Sequence, residues 1–222
     1  MNLQPNNSAI SKLNLNQDVF TESIYALVEI PKGSKVKYEI DEHTGVLFVD
    51  RVLHSSTVYP ANYGYIPSTL CEDGDAMDIL VLMQEAVVPN CCVRVRPIGV
   101  LRLKDGGEQD DKIIAVCAND PEYDDMSDIF DVSPHRQKEI ATFFATYKIG
   151  EKDKGQVEVG PFESKRSALT LIASAHLLFL HKGESYLDEV NTLKRNSTNS
   201  TNSTKSKSSD DPNISFTFNK PI

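Results

Sequence analysis

Asp73-Gly74-Asp75-Ala76-Met77-Asp78-Ile79-Leu80-Val81-Leu82 sets three carboxylates within six residues and then turns apolar without a break. Gly74 gives the backbone room to bend between the first two acids. The Ile-Leu-Val-Leu run that follows has the composition of a buried strand. The stretch therefore predicts an acidic loop delivering its carboxylates to the mouth of a core strand. Carboxylates crowded this closely repel one another, and a hard, oxygen-seeking divalent cation relieves that repulsion. A calcium-binding EF-hand loop is excluded. Counted from Asp73, its fifth, sixth and twelfth places hold Met77, Asp78 and Gln84, where an oxygen ligand, glycine and glutamate are required.

The rest of the chain limits what this loop can serve. Its 222 residues suit one domain, residues 1–194, with a tail from 195 to 222 that repeats Asn, Ser and Thr. Such a tail has too little apolar surface to offset chain entropy, so disorder is expected there. A hydrophobic content of 40% supports a core in the domain. A net charge of −9 argues against nucleic acid as a partner. No run approaches membrane-spanning length, and Met1–Phe20 shows no apolar leader core. Cys71, Cys91, Cys92 and Cys117 have no zinc or CxxC spacing, and reduced thiols in a cytoplasmic protein are expected.

Taken in order, the chain predicts strands at 24–30, 36–40, 45–52, 79–83, 93–103 and 113–118, with a short one at 157–159. Pro31 stops the first. In the second, Lys37 and Glu39 share one face. The third carries Arg51. Tyr59-Pro60-Ala61-Asn62-Tyr63-Gly64-Tyr65-Ile66-Pro67 is expected as a stiff aromatic loop. Asp105-Gly106-Gly107-Glu108-Gln109-Asp110-Asp111-Lys112 is expected as a hairpin tip, and the acidic stretch 120–131 as a solvated loop. Ser133-Pro134 signals a helix start. Ile140, Phe143, Phe144 and Tyr147 then form one apolar stripe that closes on Tyr147-Lys148. A second helix is expected from about 163 to 181, with Ala168, Leu171, Ile172, Ala175, Leu178 and Phe179 inward. His176 and His181 are five apart and do not share a face, so they are poor ligand candidates.

Each of these pieces has an ordinary structural explanation. Their combination points further. Glu29, Glu39, Asp73, Asp75, Asp78, Asp105 and Asp110 fall near strand ends, and so do Lys37, Arg51, Tyr63, Lys112, Tyr147 and Lys148. Carboxylates hold divalent cations, while ammonium, guanidinium and phenol groups hold a polyanion. Both together suit metal-dependent phosphoryl transfer.

The order of the blocks is more specific than their composition. Glu29-Ile30-Pro31-Lys32-Gly33-Ser34, Lys37-Tyr38-Glu39, Val49-Asp50-Arg51 and Tyr59-Pro60-Ala61-Asn62-Tyr63-Gly64-Tyr65 precede the D-G-D-x-x-D loop. The Asp105…Asp110-x-Lys112 hairpin and Tyr147-Lys148 follow it. Over about residues 15–182 this arrangement resembles the soluble family I inorganic pyrophosphatases. The resemblance implies an α+β, mainly β fold: a small closed OB-like β-barrel flanked by two main α-helices. It implies hydrolysis of inorganic pyrophosphate with several Mg²⁺ ions. The metal ligands would be Asp73, Asp78, Asp105 and Asp110, with Asp78 bridging two ions and Glu29 and Glu39 reaching them through water. Asp75 would be the general base. Lys37, Arg51, Tyr63, Lys112, Tyr147 and Lys148 would contact phosphate oxygens. A homo-oligomer, a homohexamer in bacterial-type members, is implied as well. Ala76 departs from the Pro or Glu usual in the acidic signature. Gly106 departs from the carboxylate usual after the first hairpin Asp.

Overall fold

The computed structural model describes residues 23–41, 44–151 and 157–182. The expected domain boundary at 194 and the Asn-Ser-Thr tail lie outside these residues.

Five strands close into a ring. β1 (Ile24–Ile30) pairs antiparallel with β4 (Asn62–Tyr65), and β4 with β5 (Asp78–Leu82). β5 runs parallel to β8 (Lys112–Cys117), which pairs antiparallel with β6 (Cys91–Asp105). β6 returns to β1 and shuts the barrel. β7 (Glu108–Gln109) and β9 (Val157–Ser164) extend the far end of β6. β2 (Val36–Ile40) and β3 (Leu47–Val52) form a separate antiparallel hairpin. α1 (Pro134–Thr146) and a second helix, α2 (residues 165–182), flank the barrel.

The apolar runs are explained by what covers each strand face. On β5 and β8, Leu80, Leu82, Ile114 and Val116 join one core with Ile140, Phe143 and Phe144 of α1 and Tyr147 at its C-cap. Their neighbours Ile79, Val81, Ile113 and Ala115 join a second core with Ala168, Ile172 and Ala175 of α2. A strand packed on both sides has no polar face, so its sequence shows no alternation. β6 is 15 residues long. It serves two neighbour sets because its register shifts between Pro97 and Gly99 and between Leu101 and Leu103, as bulges that bend a strand do.

Several expectations need correction. The Tyr59–Pro67 stretch is not all loop: Asn62–Tyr65 is a barrel strand, and Tyr59, Ala61 and Ile66 are buried around it. The strand expected at 157–159 continues to Ser164 through Pro161, and α2 starts only at residue 165. Phe179 is 42% exposed rather than inward. The 120–131 stretch is not simply solvated. Asp120 and Asp128 cap two short 3₁₀ turns, and Ile129 is fully buried. Ser133 caps α1 by accepting a hydrogen bond from the Arg136 amide, with Pro134 in the first turn, as expected.

Candidate active site

The acidic loop is tied before it reaches the barrel. The Cys71 amide donates to Asp75 O at 2.7 Å, and the Gly74 amide donates to Cys71 O at 3.1 Å. Gly74 takes φ +99°, a conformation that side-chain-bearing residues rarely adopt. The Asp75 amide donates to Asp73 Oδ1 at 3.0 Å. Beyond the loop, Met77 is held by Thr69 Oγ1, and Asp78 opens β5 opposite Tyr65.

Parallel pairing of β5 with β8 then decides the next contact. Ile79 faces Ile113, so Asp78 and Lys112 stand side by side at the same strand end. The Lys112 ammonium donates to both Asp78 and Asp110. Asp105 and Asp110 come from the two sides of the β6–β7 hairpin. Its two-residue turn, Gly106-Gly107, has φ of +60° and +94°, which suits a tight hairpin connection. Gly106 is thus accounted for by the turn. From the turn just past α1, Lys148 reaches across to donate to Asp105 and lies 5.5 Å from the Tyr147 ring centre.

The β2–β3 hairpin supplies a second group. Lys37 donates to Glu39 and, at 3.1 Å, to Asp50. Arg51 donates through Nη1 to Asp50 at 2.6 Å and through Nε to Glu151 at 2.8 Å. Glu29, at the end of β1, accepts the Ile40 amide at 2.9 Å. Tyr59, Tyr63 and Tyr147 pack with Phe143 and Phe144 beneath.

Electrostatics follow from this crowding. Burial pushes the Glu29 carboxyl up to about 7, with Asp78 and Glu39 adding to the shift. Burial also raises the Asp75 carboxyl above its ordinary range, helped by Asp73 and Asp78. Burial works against the Lys112 charge, but Asp78 and Asp110 outweigh it, so the ammonium is held well above its usual range. Burial keeps Tyr59, Tyr63 and Tyr147 as neutral phenols, far from ionisation. The Cys71 thiol is pushed up to about 12 by burial and the neighbouring carboxylates, which makes it a poor nucleophile.

The structure joins Asp78, Asp110 and Lys112, and separately Asp105 with Lys148. It joins Lys37 with Glu39, and links Arg51 to that pair through Asp50. Asp73 and Asp75 lie on the exposed rim. Among the described residues, no three His, Cys, Asp or Glu side chains form a ready-made metal group. Lysine ammoniums stand where carboxylates pair. The donor set still fits a hard cation: it is all carboxylate oxygen, and positive charge already sits between Asp78 and Asp110. Reading the sequence missed Asp50 and Glu151 as partners of Arg51. For Asp50, its place beside Arg51 was the available signal. Glu151 lies 100 residues further on and gave none.

A sequence model of the family described as inorganic pyrophosphatase matches residues 26–179. The chain belongs to the inorganic pyrophosphatase family. A soluble inorganic pyrophosphatase of Oryza sativa subsp. indica is 58% identical over 146 residues, 66% of this chain and 67% of that protein. Soluble inorganic pyrophosphatase 2 of Chlamydomonas reinhardtii is 55% identical over 145 residues, covering 64% and 76%. Among solved structures, the Helicobacter pylori inorganic pyrophosphatase superposes with a TM-score of 0.72 at 40% identity, covering 76% of this chain and 99% of that one. The Thermus thermophilus inorganic pyrophosphatase gives 0.70 at 38%, covering 73% and 94%. The family's fold is therefore the one found here, a closed OB-like barrel with two flanking helices. No helix among the described residues is long and apolar enough to cross a membrane.

Proposed function

We propose that this chain hydrolyses inorganic pyrophosphate to two phosphates, with Mg²⁺ as its cation. The observation that carries this reading is the Lys112 bridge between Asp78 and Asp110, next to Lys148 on Asp105. Asp78 of β5, Asp105 of β6, Lys112 of β8 and Lys148 just past α1 supply these pairings of acid with base. Membership of the family supplies the reaction.

Asp73, Asp78, Asp105 and Asp110 would hold the cations, with Glu29 and Glu39 further out. A bound divalent cation neutralises phosphoryl oxygens and lowers the pKa of a water. Asp75 accepts the proton from the attacking water. Its raised carboxyl lies closer to working pH than an ordinary Asp, which suits a general base. Lys37, Arg51, Lys112 and Lys148 bind phosphate oxygens and offset the charge that grows on the leaving phosphate. Tyr63 and Tyr147 stay protonated and so can donate hydrogen bonds to it. We read the enzyme as a cytoplasmic homo-oligomer, a homohexamer by its likeness to bacterial-type members. Analytical ultracentrifugation tests that assembly.

The deciding experiment is malachite-green detection of phosphate from pyrophosphate, using the purified full chain. Release with MgCl₂ that stops with EDTA supports the assignment. No release with any divalent cation refutes it.

A further inference from the structure

Glu151 follows the Lys148 turn, and its side chain is 4% exposed. One oxygen, Oε1, accepts the Arg51 Nε–H at 2.8 Å. The other, Oε2, is buried and has no hydrogen-bond partner among the described residues. A buried carboxylate oxygen left in that state is costly, so its place calls for an explanation. Arg51 offers one. Its Nη1 is taken by Asp50 at 2.6 Å and its Nε by Glu151. That leaves Nη2 without a protein partner among the described residues. A planar guanidinium held along two of its edges can turn very little.

We propose that Glu151 is a positioning residue that fixes the Arg51 guanidinium so that its remaining N–H groups face the pyrophosphate. The turn that carries Glu151 is anchored for this task. The Glu151 amide donates to Lys148 O at 3.1 Å, and His54 Nδ1 meets Gly150 O at 2.7 Å. Lys148 and Glu151 are thus joined in one short turn, so that turn sets both a direct anion contact and the aim of a second. The inference rests on the reading that Arg51 grips a phosphate oxygen.

A double-mutant cycle separates positioning from plain structural support. Wild type, Glu151→Ala, Arg51→Ala and the double variant are compared by melting temperature and by calorimetric affinity for methylenediphosphonate with Mg²⁺, a non-hydrolysable analogue. Pyrophosphate kcat/KM is measured beside them. Glu151→Ala is expected to weaken analogue affinity and kcat/KM by about tenfold or more. In the Arg51→Ala background the same change should cost less than about threefold, because no guanidinium remains to aim. Glu151→Gln, whose amide oxygen can still accept from Nε, should recover most of the loss. Glu151→Asp keeps the charge but withdraws it by one methylene; it should repeat the loss and stands in if the alanine variant does not fold. Equal losses in both backgrounds overturn the proposal, as does a glutamine variant no better than alanine. Failure of the wild type to release phosphate overturns the hydrolase reading instead, and the analogue affinities still decide the role of Glu151.

Discussion

Lys112, 2% exposed, holds its ammonium against the Asp78 carboxylate. The contact follows from topology. β5 and β8 are the parallel neighbours of the ring, so their first residues come level. Asp110, two residues before Lys112, closes on the same nitrogen. One buried cation therefore neutralises two carboxylates that belong to different strands.

Replacing that ammonium makes a divalent cation more important to stability. Lys112→Met leaves Asp78 and Asp110, 29% and 27% exposed, without their shared counter-charge; water reaches both, so the cost falls below the about 3–5 kcal/mol of a fully buried broken pair. A bound cation can take over that neutralisation, and ligand binding to the folded state adds stability. The expected outcome is a melting temperature in EDTA well below wild type. Mg²⁺ should raise it more in the variant than in wild type, while hydrolysis falls. Thermal scans with and without Mg²⁺ check this; identical Mg²⁺ shifts in the two proteins would contradict it.

Asp75 sits on the rim, tied to Asp73 only through its backbone amide. No described side chain depends on its carboxylate for packing. Asp75→Asn should therefore fold with a melting temperature close to wild type. Loss of a general base costs about 10²–10⁴-fold in rate, and kcat should fall within that range. A variant with normal turnover would remove Asp75 from the chemistry.

Gly64 lies in β4 where the strand crosses β1. A Cβ there would come 1.9 Å from Leu27 O and 2.8 Å from Val28 Cα. Both are strand backbone, which cannot rotate aside. Gly64→Ala must push β1 from β4 and open the barrel seam, at a cost of ~3 kcal/mol or more. Gly33→Ala is the control. Its Cβ would meet nothing within 4 Å, and only its φ of +83° is strained, at about 1–2 kcal/mol. Urea unfolding of both variants should rank them in that order.

Much of this was legible in the sequence where a local signal existed. The apolar run after Asp78 fixed β5, and Ser133-Pro134 with the Ile140 stripe fixed α1. Gly160-Pro161 argues against a strand, so the sequence pattern stops at Val159; β9 tolerates the pair because both fall at the register shift opposite Arg102, on a strand outside the closed ring. Leu171 and Leu178 are only partly covered and Phe179 is exposed, because the buried face of α2 is built on Ala168, Ile172 and Ala175. That stripe is narrower than apolar content suggests. The acids and lysines of the site could be identified by type and order. Which ammonium rests on which carboxylate depends on strand pairing, and periodicity does not report that.

Asp120 belongs to an acidic run whose composition predicts a solvated loop, yet it is 7% exposed. Its Oδ2 accepts the Gln84 amide at 2.7 Å, and its Oδ1 accepts Gln84 Nε2 at 2.7 Å and the Glu122 amide at 3.2 Å. The Gln84 side chain first, then the backbone amides, favour the ionised form and hold the carboxyl below its ordinary range. In the unfolded chain an Asp titrates near ~3.9. Between the folded value and that one, the unfolded state binds more protons, so stability rises with pH. The contribution is complete above about pH 4 and is lost as pH falls through the folded value. Asp120→Asn turns an amide donor toward the Gln84 donors, and at pH 7 should cost about 1–3 kcal/mol. Once the pH is low enough to protonate the wild-type carboxyl in the folded state, it presents a donor of its own, so the gap between the two proteins should narrow as pH falls below the ordinary Asp range. Urea midpoints at neutral and acid pH measure this directly. An equal gap at both would mean that Asp120 acts through shape and not through charge.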